Sequence, residues 1–297
     1  MGRMFNALQK LEREKAGREA QKSPDTDIPE YAVLDDKLVS FFAPSSLVTE
    51  QFRRLRTHII KPNAPSTYRT IMVTSAMPGE GKSLISINLA VIIALELHSH
   101  ALLVDCDLRN PSISRFFGLH QERGLSNYLL GEAELPDLLA KTAVDKLSVL
   151  PGGPVQENPV ELIGSEKMKG LIRELRSRYA DRYIVLDTSP ILATTEPAVL
   201  NLMADGIILV VRSGETPREA VEQALRHINK EKIIGVVLND VKFKTKNMTQ
   251  KHFGAKYQYY DYRDARQNPE PQSKSKLGMI AKDLKGFAGK VKKTSQK

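Results

Sequence analysis

Cysteine, tryptophan and long apolar runs are what this sequence lacks. A single cysteine, Cys106, among 297 residues excludes an internal disulfide framework and any multi-cysteine zinc site, and it fits a reducing cytoplasm. The longest apolar stretch, Ile85 to Leu97, is broken by Asn88 and falls far short of the roughly 20 residues that cross a bilayer. The polar, mixed-charge beginning, MGRMFNALQKLEREK, does not read as a signal peptide. The histidines show no ligand spacing. What remains is 41% hydrophobic and 27% charged, the composition of a globular chain able to bury a core.

Acids are scarce at one end. From Ser273 to Lys297 eight lysines face one acid, Asp283, and this stretch carries most of the net charge of +9. A basic tail on a nearly balanced body points to an anionic surface met by the tail alone. Leu277, Ile280, Leu284, Phe287 and Val291 also form one apolar stripe there, a pattern that can lie on an anionic leaflet or serve as a plain solubilising tail. Gly278, Gly286 and Gly289 weaken its helix.

The rest of the chain divides by pattern. Residues 1–46 read as an N-terminal helix, with Phe5, Leu8 and Leu11 on one side, followed by a linker from residue 23. Residues 47–242 read as the folded domain, 243–272 as a flexible tail and 273–297 as the basic amphipathic end. The domain opens with Val48, Phe52, Leu55 and Ile59 at helical spacing, the stripe of a helix packed on a core. Strands are expected at 70–75, 101–105, 147–150, 183–187, 206–211 and 233–239. These runs are apolar throughout and do not alternate, so they suit a sheet buried on both faces. That implies an α/β domain with a doubly wound, mainly parallel sheet and crossover helices.

The sharpest local signal is Ala76-Met77-Pro78-Gly79-Glu80-Gly81-Lys82-Ser83, directly between a strand and a helical run. This is the context of a P-loop. Glycines at 79 and 81 let the turn from Pro78 to Leu84 close around phosphate oxygens at the positive end of the following helix, with the backbone N–H groups of Gly79, Glu80, Gly81, Lys82, Ser83 and Leu84 as donors and Pro78, which has none, shaping the turn. Lys82 would reach the outer phosphates of ATP and the Ser83 hydroxyl would bind Mg2+. Two further strands end in acids, Asp105 with Asp107 and Asp187, and in a parallel sheet such residues line the ligand crevice. Asp187 reads as a Mg2+ ligand through water. Asp105 and Asp107 share metal binding and acceptance of a proton, in an allocation the sequence leaves open. Cys106 between them reads as packing. Asn239, ending the last strand, faces the adenine or makes an ordinary turn.

These motifs resemble those of the bacterial P-loop tyrosine kinases associated with capsule and exopolysaccharide export. SAMPGEGKS, LLVDCDLRNP and YIVLDTSP look like that family's three Walker-type motifs, a deviant form shared with partition and division-site ATPases. Glu50, Arg53 and Arg56 match its E-x2-R-x2-R element, which the resemblance implies mediates ring-like self-assembly; taken alone they equally suit a solvated helix face. Tyr257, Tyr259, Tyr260 and Tyr262 are similar to its phosphoacceptor cluster, filled between neighbouring subunits. The likeness runs from about Glu50 to Tyr262. It implies a cytoplasmic enzyme peripheral to the inner membrane, a separate membrane activator of the polysaccharide co-polymerase kind and a cognate tyrosine phosphatase, with no nucleic acid as partner. The related ATPases carry a second lysine near the start of the loop, where this chain has Met77. That favours a kinase over an ATPase switch on membrane or nucleoid, or over a protein that binds nucleotide only to assemble.

Overall fold

Alternating β-branched runs and helical spacings in the sequence become alternating strands and helices in the computed structural model, which describes residues 34–60, 68–119, 123–178 and 181–242. Every expected strand forms: β1 (Thr70–Ser75), β2 (His100–Asp105), β4 (Leu147–Leu150), β5 (Arg182–Asp187), β6 (Gly206–Arg212) and β7 (Ile233–Asn239). A further strand, β3 (Ala140–Lys141), runs antiparallel to β4; two residues are too few to carry a pattern. The sheet order is β3-β4-β2-β5-β1-β6-β7, and all other pairings are parallel.

Side chains that alternate along each strand divide between two cores. Ile71, Val73, Leu103, Val185 and Ile208 pack toward the helix that follows the P-loop, Lys82–Ala94. Met72, Leu102, Val104, Ile184, Leu186 and Leu209 pack on the opposite face with Leu171, Leu175 and Leu200. The helices are α1 (Val39–Phe42), α2 (Leu47–Ile59), α3 (Lys82–Ala94), α4 (Ile113–Phe116), α5 (Leu125–Leu130), α6 (Leu135–Leu138), α7 (Pro159–Gly164), α8 (Glu166–Arg178), α9 (Glu196–Met203) and α10 (Arg218–Ala224).

α3 is buried without a break from Ile85 to Ala94. A helix apolar on every side needs cover on every side, and α1 and α2 supply it on the face turned away from the sheet. This corrects the linker reading in part, because residues 34–46 are packed chain. Leu38 is fully buried, and Asn88 of α3 accepts from Ser40 N at 2.9 Å and donates to Lys37 O at 2.9 Å. The α2 stripe is also adjusted: Phe52 and Ile59 are buried as expected, but Val48 is exposed and Thr49 turns inward. The Thr49 hydroxyl donates to Ala43 O at 2.7 Å while Ser46 caps the helix, so hydrogen bonding outweighs the valine's apolar area at this end.

β7 departs from burial on both faces. It is the edge strand, and Val236 and Leu238 are exposed. The chain divides into two units, Met1–Tyr257 and Gln258–Lys297, and every described residue belongs to the first. The N-terminal helix, the tyrosine cluster and the basic end all lie outside the described residues.

Candidate nucleotide and phosphoryl-transfer site

β1 delivers the chain into the loop at 76–81, and α3 begins at Lys82. The turn needs glycine at two places. Gly79 sits at φ 80° and Gly81 at φ 93°, in the left-handed region that side chains disfavour. A Cβ on Gly81 would also lie 2.2 Å from the Asn239 carboxamide nitrogen, whereas one on Gly79 would meet open space.

Four hydrogen bonds brace the loop. Ser75 Oγ donates to Met77 O at 2.8 Å, and Met77 N donates to Glu80 Oε2 at 2.8 Å. The buried Glu80 carboxylate also accepts the Thr216 hydroxyl from the loop after β6, and Asn239 Nδ2 donates to Glu80 O at 2.9 Å from the end of β7. Glu80 therefore turns its side chain into the protein and leaves its backbone to the loop. Pro78 and Gly79 are exposed at the tip, and Ser83 and Leu84 line the adjoining cavity. Asn239 holds the P-loop from below, a role that neither expectation for it included.

Parallel register brings the acids together: Asp105 and Asp187 are direct partners across β2 and β5. Lys82 Nζ reaches Asp107 Oδ2 at 2.8 Å. Burial lowers the Lys82 pKa, but Asp187, Asp107 and Asp105 more than offset it, so the pKa is raised and the group stays a cation. Asp105 is fully buried and spent on backbone: Oδ2 accepts Ser112 N at 2.8 Å and Ile113 N at 3.0 Å, and Oδ1 accepts Asp107 N at 3.2 Å. Burial first, then the Asp187 charge, pushes Asp105 up to about 7 against these donors. Asp107 is the acid that faces Lys82. Cys106 is buried among the three acids, and burial raises its thiol well above the ordinary range, in keeping with a packing role.

Asp187 accepts Ser86 Oγ at 2.8 Å through Oδ1, while its Oδ2 is buried with no hydrogen-bond partner among the described residues. Burial raises its pKa, and Lys82 with the Ser83 and Ser86 hydroxyls pulls the other way. An orphaned carboxylate oxygen beside a serine hydroxyl suits Mg2+, which takes hard oxygen donors and usually keeps waters and phosphate oxygens as its remaining ligands. Among the described residues no three acidic, histidine or cysteine side chains form a ready-made metal cage. The residues present thus fit a metal that arrives with its nucleotide.

Sequence reasoning did not anticipate Ser86. Its place one turn beyond Lys82, whose carbonyl it also bonds at 3.0 Å, was the available signal. Nor did it anticipate the Arg109–Glu196 pair at 2.8 Å, which ties the loop after β2 to α9. Of the proposed assembly residues, Glu50 and Arg53 pair with each other at 3.2 Å on the surface of α2. Arg56 donates to Ile92 O at 3.0 Å and is engaged within the chain.

The strand-loop-helix turn, its lysine and the acid-tipped parallel strands define a P-loop NTPase of the ParA type. Consistent with that class, a ParA family described as NUBPL iron-transfer P-loop NTPase matches residues 66–281. The tyrosine-protein kinase YwqD of Bacillus subtilis is 35% identical over 233 residues, covering 78% of this chain and 94% of its own. The solved kinase domain of the Escherichia coli tyrosine kinase ETK superposes with a TM-score of 0.64 at 28% identity, covering 76% of this chain and 86% of that one. The succinoglycan biosynthesis transport protein ExoP of Rhizobium meliloti is 32% identical over 202 residues, which span 66% of this chain but 25% of ExoP. Within the P-loop class the chain belongs to the bacterial tyrosine-protein kinases.

Proposed function

We propose that this kinase uses Mg-ATP to phosphorylate Tyr257, Tyr259, Tyr260 and Tyr262 of neighbouring copies of itself, in the service of exopolysaccharide or capsule polymerisation and export. The observation that carries the proposal is the Lys82–Asp107 pair at 2.8 Å: a phosphate-binding cation and a carboxylate that its departure would free. Backbone N–H groups of residues 79–84 would hold the phosphates, Lys82 would move to the outer ones, and Asn239 would border the base. Ser83 and Asp187, the latter through water, would hold Mg2+, which when bound supplies charge neutralisation on the phosphate oxygens. The tyrosine oxygen then bonds to the γ-phosphorus as the bond to the bridging oxygen of the departing ADP breaks, and the phenol proton passes to Asp107 Oδ2. Asp105 keeps its three backbone donors and shapes the loop that presents Asp107.

Assembly would use the Glu50 and Arg53 face of α2, with Arg56 fixing that helix to α3. No helix among the described residues is long and apolar enough to cross a membrane. A separate membrane activator, a tyrosine phosphatase and contact of residues 273–297 with an anionic leaflet complete the reading, which is supported by the relationship to ExoP and by the charge of the chain's end.

Mass spectrometry and anti-phosphotyrosine blotting after phosphatase treatment and incubation with Mg-ATP test the assignment. Phosphate is expected on residues 257–262 of the wild type and absent from Lys82→Met. ATP turnover without phosphotyrosine, even with a membrane activator added, would count against it.

A further inference from the structure

A cavity of about 420 Å3 opens beside the P-loop. Asn239 meets the loop from β7, at one end of the order β2-β5-β1-β6-β7. The cavity lies toward the other end, between Gly81, Lys82 and Ser83 on one wall and Ser112, Arg115 and Phe116, which follow β2, on the opposite wall. Asp35 and Lys37 of the N-terminal segment close it. With the base bordered by Asn239 as proposed above, the terminal phosphate would point toward this space, and an acceptor would enter from this side.

Its walls are suited to a phenol with a charged neighbour. The Phe116 ring is fixed by Lys37 Nζ, 5.6 Å from its centroid, and by Asp35 N, which donates to Phe116 O at 3.0 Å. A held aromatic ring is a stacking surface for another ring. The charges nearly cancel except at one residue. Lys82 is paired with Asp107 at 2.8 Å and Lys37 with Asp35 at 3.8 Å, whereas the exposed Arg115 makes no ion pair among the described residues. An unneutralised guanidinium at the mouth of a phosphoryl-transfer site is a ready partner for a carboxylate or a phosphate.

We infer that Arg115 is a specificity-determining residue of the acceptor side, selecting tyrosines that have an anionic group beside them in sequence, with Phe116 as the wall for the acceptor ring. The inference rests on the proposed transfer to the tail tyrosines. In that cluster Asp261 adjoins Tyr260 and Tyr262, while Tyr257 and Tyr259 have no acidic neighbour. Phosphorylation of Tyr260 then places about -1.5 to -2 charges beside Tyr259. The cluster is therefore filled in order, from Asp261 outward, each new phosphate making the next tyrosine a better substrate.

The full-length kinase as wild type, Arg115→Lys and Arg115→Glu is given three peptides spanning residues 254–263, in which Asp261 is the one acid: the native sequence, Asp261→Asn, and Asp261→Asn with phosphotyrosine at 260. Site-resolved mass spectrometry yields kcat/KM for each. Wild type and Arg115→Lys are expected to prefer an anion-bearing peptide over the one without an acid by about tenfold, the scale of one charge pair near a protein surface, and Arg115→Glu to lose or invert that preference. Preference for the carboxylate, the phosphate or both, lost in Arg115→Glu, supports the inference and identifies the anion. No preference in the wild type, or a preference that survives in Arg115→Glu, overturns it and leaves the kinase assignment standing. Absence of transfer to any tyrosine in peptides or tail overturns both.

Discussion

Two neighbouring aspartates that the sequence could not tell apart are separated by their partners. Asp105 spends its oxygens on three backbone N–H groups, so Asp105→Asn turns a donor toward donors and should cost about 1 to 3 kcal/mol, seen as a lowered melting temperature. Asp107→Asn keeps the loop and removes the proton acceptor; transfer should fall about 100-fold or more with a smaller change in melting temperature. Equal melting losses would refute the division of labour. The raised pKa of Asp105, at about 7, has a consequence for binding. Near pH 6.5 Asp105 is partly protonated in the nucleotide-free site, and a cation entering nearby lowers its proton affinity. Mg-ATP binding should therefore release protons, read as a dependence of the calorimetric heat on buffer ionisation enthalpy. The release should fade above pH 8, where Asp105 is already ionised; heats independent of buffer at pH 6.5 would contradict it.

At the scale of elements, the P-loop and α3 are positioned by segments far away in sequence. Gly81→Ala meets both a positive φ and the Asn239 carboxamide, while Gly79→Ala meets only the φ, a cost of about 1 kcal/mol. Nucleotide affinity should fall more for Gly81→Ala, and the double variant with Asn239→Ala should recover part of that loss; equal affinities for the two single variants would refute the clash. Asn88 joins α3 to the segment before α2 through the Ser40 N–H and the Lys37 carbonyl. Its replacement by alanine leaves both without that partner at a buried site. We expect about 1 to 3 kcal/mol lost and faster amide exchange around residues 37–42, measurable by hydrogen exchange.

For the molecule as a whole, assembly should depend on phosphorylation. Each phosphate adds about -1.5 to -2 charges to the tail, so neighbouring tails repel or leave their partner's site. Phosphatase-treated protein should elute as a larger species than protein incubated with Mg-ATP, and Glu50→Ala with Arg53→Ala should reduce both to the smaller one. Identical elution of the two states would remove the coupling.

The strands, the P-loop and the three acids were legible in the sequence because each is a local pattern: β-branched runs of one strand's length, glycines at fixed spacing, and acids where a strand ends. Asp105 and Asp187 could be expected to converge because parallel strands carry their carboxyl ends to one edge. Other features were decided by contacts between distant residues. The brace from Asn239 to Glu80, the inward Thr49, the packing of residues 34–46 on α3 and the meeting of Lys37 with Phe116 join segments whose spacing in the chain carries no period. The sequence by itself determined the strand succession and the phosphate-binding turn, since backbone propensity and side-chain alternation act over a few residues. Only the tertiary structure decided which aspartate faces the lysine and which cation at the mouth of the site has no ion pair among the described residues, because hydrogen-bond partners and desolvation are properties of the packed interior.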